Sequence, residues 1–281
     1  MATAHALTDL PAAEVLGIVA CPRCGAGLAP RSESLACKQC GTRYPVVRGI
    51  LDLRPPRMEL KQEEIDWSQH WAEDKQESFS QRFFSFYRKT VFARAVRYFT
   101  SRYFPAQGLF IEAGCGTAET SMLIDKRGGR RKLVALDLIL PVLERVHPIM
   151  DVRVGGDIFR LPFATDSIDG IWNVGVMEHF THSQIDAILS EFRRVLRPGG
   201  SVILLWPAAY SPPQRILRAI EWWINRRNKG ERFRFHPDEI SQLRSTGQGR
   251  EVLIRSKFVP VSIDFGFRSL MAFQTLVGRK A

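Results

Sequence analysis

Short apolar runs closed by glycine or an acid recur along the chain, each followed by a polar or amphipathic stretch. Leu109-Phe110-Ile111 passes through Glu112 and Ala113 into Gly114-Cys115-Gly116-Thr117-Ala118, and a helix-compatible stretch, Thr117 to Lys126, follows. Lys132 to Leu136 is a second run and ends at Asp137. Val152-Arg153-Val154 is a third, closed by Gly155-Gly156-Asp157-Ile158. Ser167 to Asn173 and Ser201 to Leu205 are the fourth and fifth, with an amphipathic segment from Gln184 to Leu196 between them. Strand-length runs alternating with helical patterns predict an α/β fold with a mostly parallel sheet. Arg250 to Ser256 and Ser269 to Val277 are expected to be the last two strands, an antiparallel hairpin.

The turn at Gly114 and Gly116 is the first place where this pattern implies chemistry. Without a Cβ, the backbone there lets a ligand approach closely, and N–H groups at a helix start favour polar or anionic groups. Such a turn serves a nucleotide-type ligand or a plain strand-to-helix connection. The pyrophosphate fingerprint G-x-G-x-x-G is incomplete, because Glu119 holds the third-glycine place. Asp137 lies about 20 residues further on, where an acid accepts the ribose hydroxyls of an adenosine ligand; a helix cap is the alternative.

Five pieces in order carry a resemblance: Glu112-Ala-Gly-Cys-Gly-Thr, Asp137, Gly156-Asp157-Ile158 with Leu161-Pro162-Phe163, Asn173 to Phe180, and Phe192-Arg-Arg-Val-Leu-Arg-Pro-Gly-Gly200. Over residues 107 to 206 the chain resembles the class I S-adenosylmethionine-dependent methyltransferases, type 11-like. The resemblance implies a Rossmann-like, seven-stranded, mostly parallel sheet with helices on both faces, closed by the antiparallel hairpin. It also implies a cofactor set of Glu112, Gly114, Gly116, Thr117, Asp137, Leu138, Asp157, Ile158 and Asn173. Gly114 and Gly116 would cradle the methionine part, Asp137 the ribose, and Asp157 with the Ile158 N–H the adenine. His179 is the one titratable base candidate near the methyl-transfer side, with Glu178 beside it; a histidine satisfied by backbone is the alternative. Ala118 stands where many relatives have glycine, and its small size is expected to do little harm.

Cys21-Pro-Arg-Cys24 and Cys37-Lys-Gln-Cys40 are two C-x-x-C knuckles separated by twelve residues. Four thiolates so spaced suit one structural Zn²⁺ with no open position; disulfides or a redox pair are the alternatives. Tyr44-Pro45 through Gly49-Ile50 to Leu53 resembles the tail of the zinc ribbon that precedes many bacterial methyltransferase domains. Cys115, inside the glycine turn, reads as a small packing residue. The expected organisation is a ribbon over 15–54, a linker and helical segment over 55–80, and a methyltransferase domain over 81–281 with a substrate-side insertion at 207–249. In the charged stretch Glu59 to Ser80, Trp67 and Trp71 share one helical face. The aromatic and basic stretch Gln81 to Phe104 is expected mostly to face the core, with Tyr87 and Arg88 as candidate cofactor or substrate contacts.

The net charge is +11, and from Ser211 to Ala281 fourteen Lys or Arg face six Asp or Glu. That imbalance suits an anionic partner or a solvated basic surface. Gln214 to Asn228 reads as a basic helix bearing Trp222 and Trp223, suited to a membrane interface, a lid or core packing. His236-Pro-Asp-Glu-Ile240 reads as the start of another helix. No apolar run approaches the ~20 residues of a spanning helix. Asp9 and Glu14 interrupt an N-terminal stretch without a basic start, so a cytoplasmic protein, or one peripheral on the inner membrane face, is expected. The expected activity is methyl transfer to a small-molecule or glycan/lipid-linked acceptor. RNA methylation and a catalytically silent binding or partner role are the alternatives.

Overall fold

The computed structural model describes residues 13–31, 33–55, 86, 88–227 and 240–281. The stretch Glu59 to Ser80, Tyr87 and 236–239 lie outside the described residues.

The N-terminal part holds α1 (Ala13–Leu16), β1 (Leu28–Arg31), β2 (Ser34–Cys37), β3 (Arg43–Val47) and β4 (Ile50–Asp52). A π-helical turn, Arg88–Phe92, then runs into α2 (Ala93–Tyr103). Next come β5 (Gly108–Ala113), β6 (Arg131–Asp137), α3 (Leu140–Glu144), β7 (Val152–Gly155), β8 (Ile168–Val174), α4 (His182–Val195) and β9 (Leu196–Pro207). The chain closes with α5 (Pro212–Arg227), α6 (Thr246–Arg255), β10 (Phe258–Asp264) and β11 (Phe273–Lys280).

The seven strands β7-β6-β5-β8-β9-β11-β10 lie side by side in that order. Pairing is parallel from β7 to β9 and antiparallel at β11 and β10. This is the expected Rossmann-like sheet. The ribbon does not stand apart from it: β4 pairs in parallel with β7, and the sheet grows to eleven strands through β3, β2 and β1.

Alternation along the central strands sends side chains into two cores, as a sheet covered on both faces requires. Ile111, Val134, Val154, Ile171 and Leu204 face the α4 side, where Ile185, Ile188, Leu189 and Phe192 recur at helical spacing. Phe110, Leu133, Ala135, Trp172 and Ile203 face the α2 side, with Val96 and Phe99. Phe92, Phe99 and Phe104 are therefore core residues. A capping box starts α4: Gln184 N–H donates to Thr181 Oγ1, and Thr181 N–H donates back to Gln184 Oε1.

Three expectations are corrected. Arg250 to Ser256 is the end of α6, not a strand. Ser245 caps the helix by accepting from Gln248 N–H, and Val252 and Leu253 are buried. An apolar pattern this short fits either period, and the cap decides it. The hairpin instead joins β10 to β11, immediately after α6. Second, only a short 3₁₀ turn, Glu119–Ser121, forms within Thr117 to Lys126. Ala118 at φ 55°, ψ 23° is left-handed and opens that turn, so helical geometry does not propagate from the glycines. The helix-dipole part of the ligand argument is lost with it. Third, the helix expected to start over 236–240 does not run on through the described residues 240–245; the N–H groups of Ile240 and Ser241 donate to Glu178 O.

The left-handed Ala118 also bears on stability. A Cβ in this conformation costs about 1–2 kcal/mol, offset by about 0.4–1 kcal/mol because alanine restricts the unfolded chain and by about 0.8 kcal/mol from its fully buried methyl. Ala118→Gly is expected to change stability by less than about 1 kcal/mol, read as a small shift of the urea midpoint at unchanged slope.

Candidate cofactor and methyl-transfer site

The strand order reverses around β5, which has β6 on one side and β8 on the other. At such a switch point the loops leaving the carboxyl ends diverge and open a crevice. Gly114 (φ 72°) and Gly116 (φ 52°) form the loop after β5. A Cβ on Gly114 would stand 3.0 Å from Val176 Cγ2, so glycine is needed for close approach as well as for its φ.

Asp137, at the end of β6, ties three segments together. Its Oδ2 accepts from Gly116 N–H at 2.8 Å and its Oδ1 from Ile139 N–H at 3.0 Å. Its main-chain oxygen accepts from Gly156 N–H at 2.9 Å. Burial pushes the Asp137 carboxyl up, and the backbone donors at Ile139, Gly116 and Leu138 oppose the shift. A carboxylate offers about four acceptor positions, so these backbone donors leave capacity for a further donor such as a ribose hydroxyl. Asp157 opens the loop after β7, with Oδ1 accepting from Phe159 N–H at 2.8 Å. Asp137 and Asp157 thus lie at adjacent carboxyl ends. Leu138, Ile158 and Thr117 are half-buried around the same edge, and Thr117 O accepts from His147 N–H. Asn173 is fully buried near the end of β8, and neither atom of its amide has a hydrogen-bond partner among the described residues. A buried unpaired amide of this kind suits a polar ligand group.

Glu112 takes a different part. Thr120 Oγ1 donates to its Oε1 at 3.1 Å and Ser121 Oγ to its Oε2 at 2.7 Å. Trp172 Nε1 donates in turn to Ser121 Oγ at 3.0 Å. Both carboxylate oxygens therefore hold the turn after the glycines, a role that Thr120, Ser121 and Trp172 share and that spacing alone does not reveal. Burial pushes the Glu112 carboxyl up to about 7, against the two hydroxyl bonds and the charge of Arg88. Cys115 is buried, its thiol pushed well up, and Sγ donates to Gly116 O.

Glu178 and His179 lie in a 3₁₀ turn, Met177–His179, beyond β8. His179 Nε2 is 3.8 Å from Glu178 Oε1. The Glu178 side chain is buried, and its main chain is held by the 240–241 segment. This turn and the glycine loop meet at the Gly114–Val176 approach.

The four cysteines bring their sulfurs within 4.8 Å of one another. Cys21–Cys40 and Cys24–Cys37 separations are 3.7 and 3.4 Å. Tetrahedral zinc with bonds of about 2.3 Å sets sulfurs about 3.8 Å apart, so the group fits. Gln39 and Cys40 N–H groups donate to Cys37 Sγ at 3.4 Å, holding its thiol below the usual range. Gly25 and Gly41, at φ 79° and 70°, follow the two knuckles.

Comparison with known proteins agrees with the geometry. Residues 111–204 match the family described as "Methyltransferase domain". Over those residues the chain is similar to methyltransferase domains. Among curated proteins it is 32% identical over 138 residues to a malonyl-[acyl-carrier protein] O-methyltransferase of Dechloromonas aromatica, covering 48% of this chain and 49% of that one. The chain thus spans about half the length of that relative. Among solved structures, magnesium protoporphyrin IX methyltransferase from Synechocystis PCC 6803 with bound SAH superposes with a TM-score of 0.53 at 15% identity. The match covers 78% of this chain and 95% of that one. A second match, at TM-score 0.52 and 14% identity over 74% and 98% of the two chains, belongs to a complex of the Haloferax volcanii Trm112 methyltransferase activator and a methyltransferase described as putative. Both likenesses show the fold.

The raised carboxyl of Glu112 has a pH consequence. Folded protein binds a proton there more tightly than unfolded chain, so this contribution is complete below about pH 4.5 and is lost as pH rises to about 7. Glu112→Gln is expected to remove that fall, of order 2–4 kcal/mol. Urea titrations of both proteins between pH 5 and 8 check it: parallel curves would refute the assignment.

Proposed function

We propose that this protein transfers a methyl group from S-adenosylmethionine to a small-molecule or glycan/lipid-linked acceptor. The observation that carries the reading is the convergence of Gly114, Gly116, Asp137 and Asp157 at three adjacent strand ends. The cofactor supplies a methyl group already activated by a positive sulfur. Asp137 holds the ribose, Asp157 and the Ile158 N–H the adenine, and the Gly114–Gly116 backbone the methionine part. Glu112 keeps that loop in place through Thr120 and Ser121. The remaining task is to align acceptor, methyl carbon and sulfur, and alignment supplies up to about 7–11 kcal/mol. His179, with Glu178 beside it, is the candidate to take a proton from a hydroxyl or amine acceptor. A carboxylate acceptor, like the acid named in the Dechloromonas relative, needs no such base. The cysteine cluster holds structural zinc.

A lipid-linked acceptor is supported by α5. Ile216, Ile220, Trp222 and Trp223 are exposed on it, with Trp222 at 62% of full exposure. Arg215 and Arg218 are exposed alongside, and the Arg226 guanidinium lies over the Trp222 ring. Tryptophan and arginine mixed on one helix suit an anionic membrane interface. The helix starts five residues after β9, at the end of the sheet that carries the crevice.

Calorimetry with S-adenosylhomocysteine on the zinc-loaded protein tests the cofactor reading. Binding to wild type and at least about tenfold weaker binding to Asp137→Ala are expected; no binding to wild type sinks it. Sedimentation with vesicles tests the acceptor side. Trp222→Ser with Ile216→Ser should reduce retention on anionic phosphatidylglycerol vesicles, and wild type should not sediment with neutral phosphatidylcholine. Retention on bulk RNA but not on vesicles would favour an RNA acceptor instead.

A further inference from the structure

The loop from Gly156 to Ala164, which carries Asp157 and Ile158, is held from outside its own domain. At its start, Leu53 N–H donates to Gly155 O at 2.8 Å, continuing the β4–β7 pairing in which Asp52 faces Gly155. At its end, Ala20 N–H donates to Pro162 O at 3.0 Å and Ala164 N–H to Ile18 O at 2.8 Å, around a bridge between Val19 and Phe163. Midway, Arg160 Nη2 donates at 2.8 Å to the main-chain oxygen of Arg23, which lies between Cys21 and Cys24. Start, middle and end are thus bonded to the ribbon or the chain leading into it. From its own domain the loop receives Arg194, whose guanidinium donates to Leu161 O and Phe163 O.

The ribbon shares the cores of the sheet: Val15, Val19, Leu28, Leu35, Tyr44, Leu51 and Leu53 belong to the α4-side core and Ile50 to the α2-side core. At the cysteines, Tyr44 Oη lies 3.1 Å from Cys21 Sγ. Metal on the four sulfurs would add the bonds that tie the two knuckles to each other. It would thereby fix the Arg23 carbonyl, between Cys21 and Cys24, in its place opposite Arg160.

We propose that the metal-loaded ribbon is a positioning element of the cofactor crevice, so that occupancy of the four-cysteine site sets affinity for the adenine end of the cofactor. Arg160 is the positioning residue that joins the two sites. The proposal rests on the cofactor and zinc readings above. Coupling between two ligands is reciprocal, so the cofactor must also retain the metal.

Calorimetry with S-adenosylhomocysteine and chromogenic zinc release, both on the full chain, test it. Wild-type protein with one zinc per chain is expected to bind S-adenosylhomocysteine, and chelator-stripped protein or Cys24→Ser to bind about tenfold or more weakly. Arg160→Ala should keep its zinc yet bind about fivefold more weakly, with Arg160→Lys recovering part of the loss. Saturating S-adenosylhomocysteine should slow zinc release from wild type and lose much of that effect in Arg160→Ala. Equal affinity with and without zinc, or equal affinity in wild type and Arg160→Ala, overturns the coupling and leaves the cofactor reading standing. Zinc-loaded wild type that binds no S-adenosylhomocysteine overturns the cofactor reading, and the coupling falls with it.

Discussion

Asp137 is the residue on which the crevice depends. Its carboxylate and main-chain oxygen accept from Gly116, Ile139 and Gly156, so one residue fixes the loops leaving β5, β6 and β7 relative to each other. Hydrogen bonds to a carboxylate are stronger than those to neutral acceptors. They are strengthened further by the burial that raises this carboxyl. The arrangement follows from parallel pairing. Asp137 and Gly155 are register partners, and Ala113 pairs with Leu136, so the three strands end at one level. A ligand that meets Gly114, Asp137 and Asp157 meets groups already held in place, and preorganisation of this kind lowers the entropic cost of binding.

Two acids twenty-five residues apart show how environment divides labour. Glu112 and Asp137 both end central strands and both titrate above the usual carboxylate range. Glu112 turns inward, with both of its oxygens already engaged by the Thr120 and Ser121 hydroxyls. Asp137 accepts from main-chain N–H groups, which favour the charged form. The first is suited to hold a turn and the second to meet a ligand with donors.

The central strands were legible because alternation, glycine and acid placement all agreed there. The ordered cysteine pairs were legible because four thiols at knuckle spacing allow few geometries. The misread segments are those where local pattern was ambiguous. Arg250 to Ser256 holds a three-residue apolar run, Val252-Leu253-Ile254, that suits either period, yet Ser245 caps the helix and Gly249 brings it against Leu276 and Gln274 of β11. Thr117 to Lys126 has helical composition, but Ala118 adopts a left-handed conformation, which composition does not report. The tie between ribbon and sheet was invisible because it is made by backbone groups of Ile18, Ala20 and Leu53, whose side chains carry no mark of it.

That tie also answers a problem the sheet would otherwise have. Without the ribbon β7 would be an outer strand, with unpaired N–H and C=O groups beside the loop that carries Asp157. β4 pairs with it, β3 and β2 follow, and the new outer strand, β1, contains Pro30, which removes a donor. At the opposite edge β10 carries Pro260 next to an irregularity in its pairing with β11. Both outer strands therefore carry a proline, and the strand nearest the cofactor loop is placed in the interior of the sheet. A ribbon recruited only to bind metal would have no need of β4 in parallel register with β7. Its placement makes the position of the loop from Gly156 to Ala164 a property of the ribbon and the sheet together.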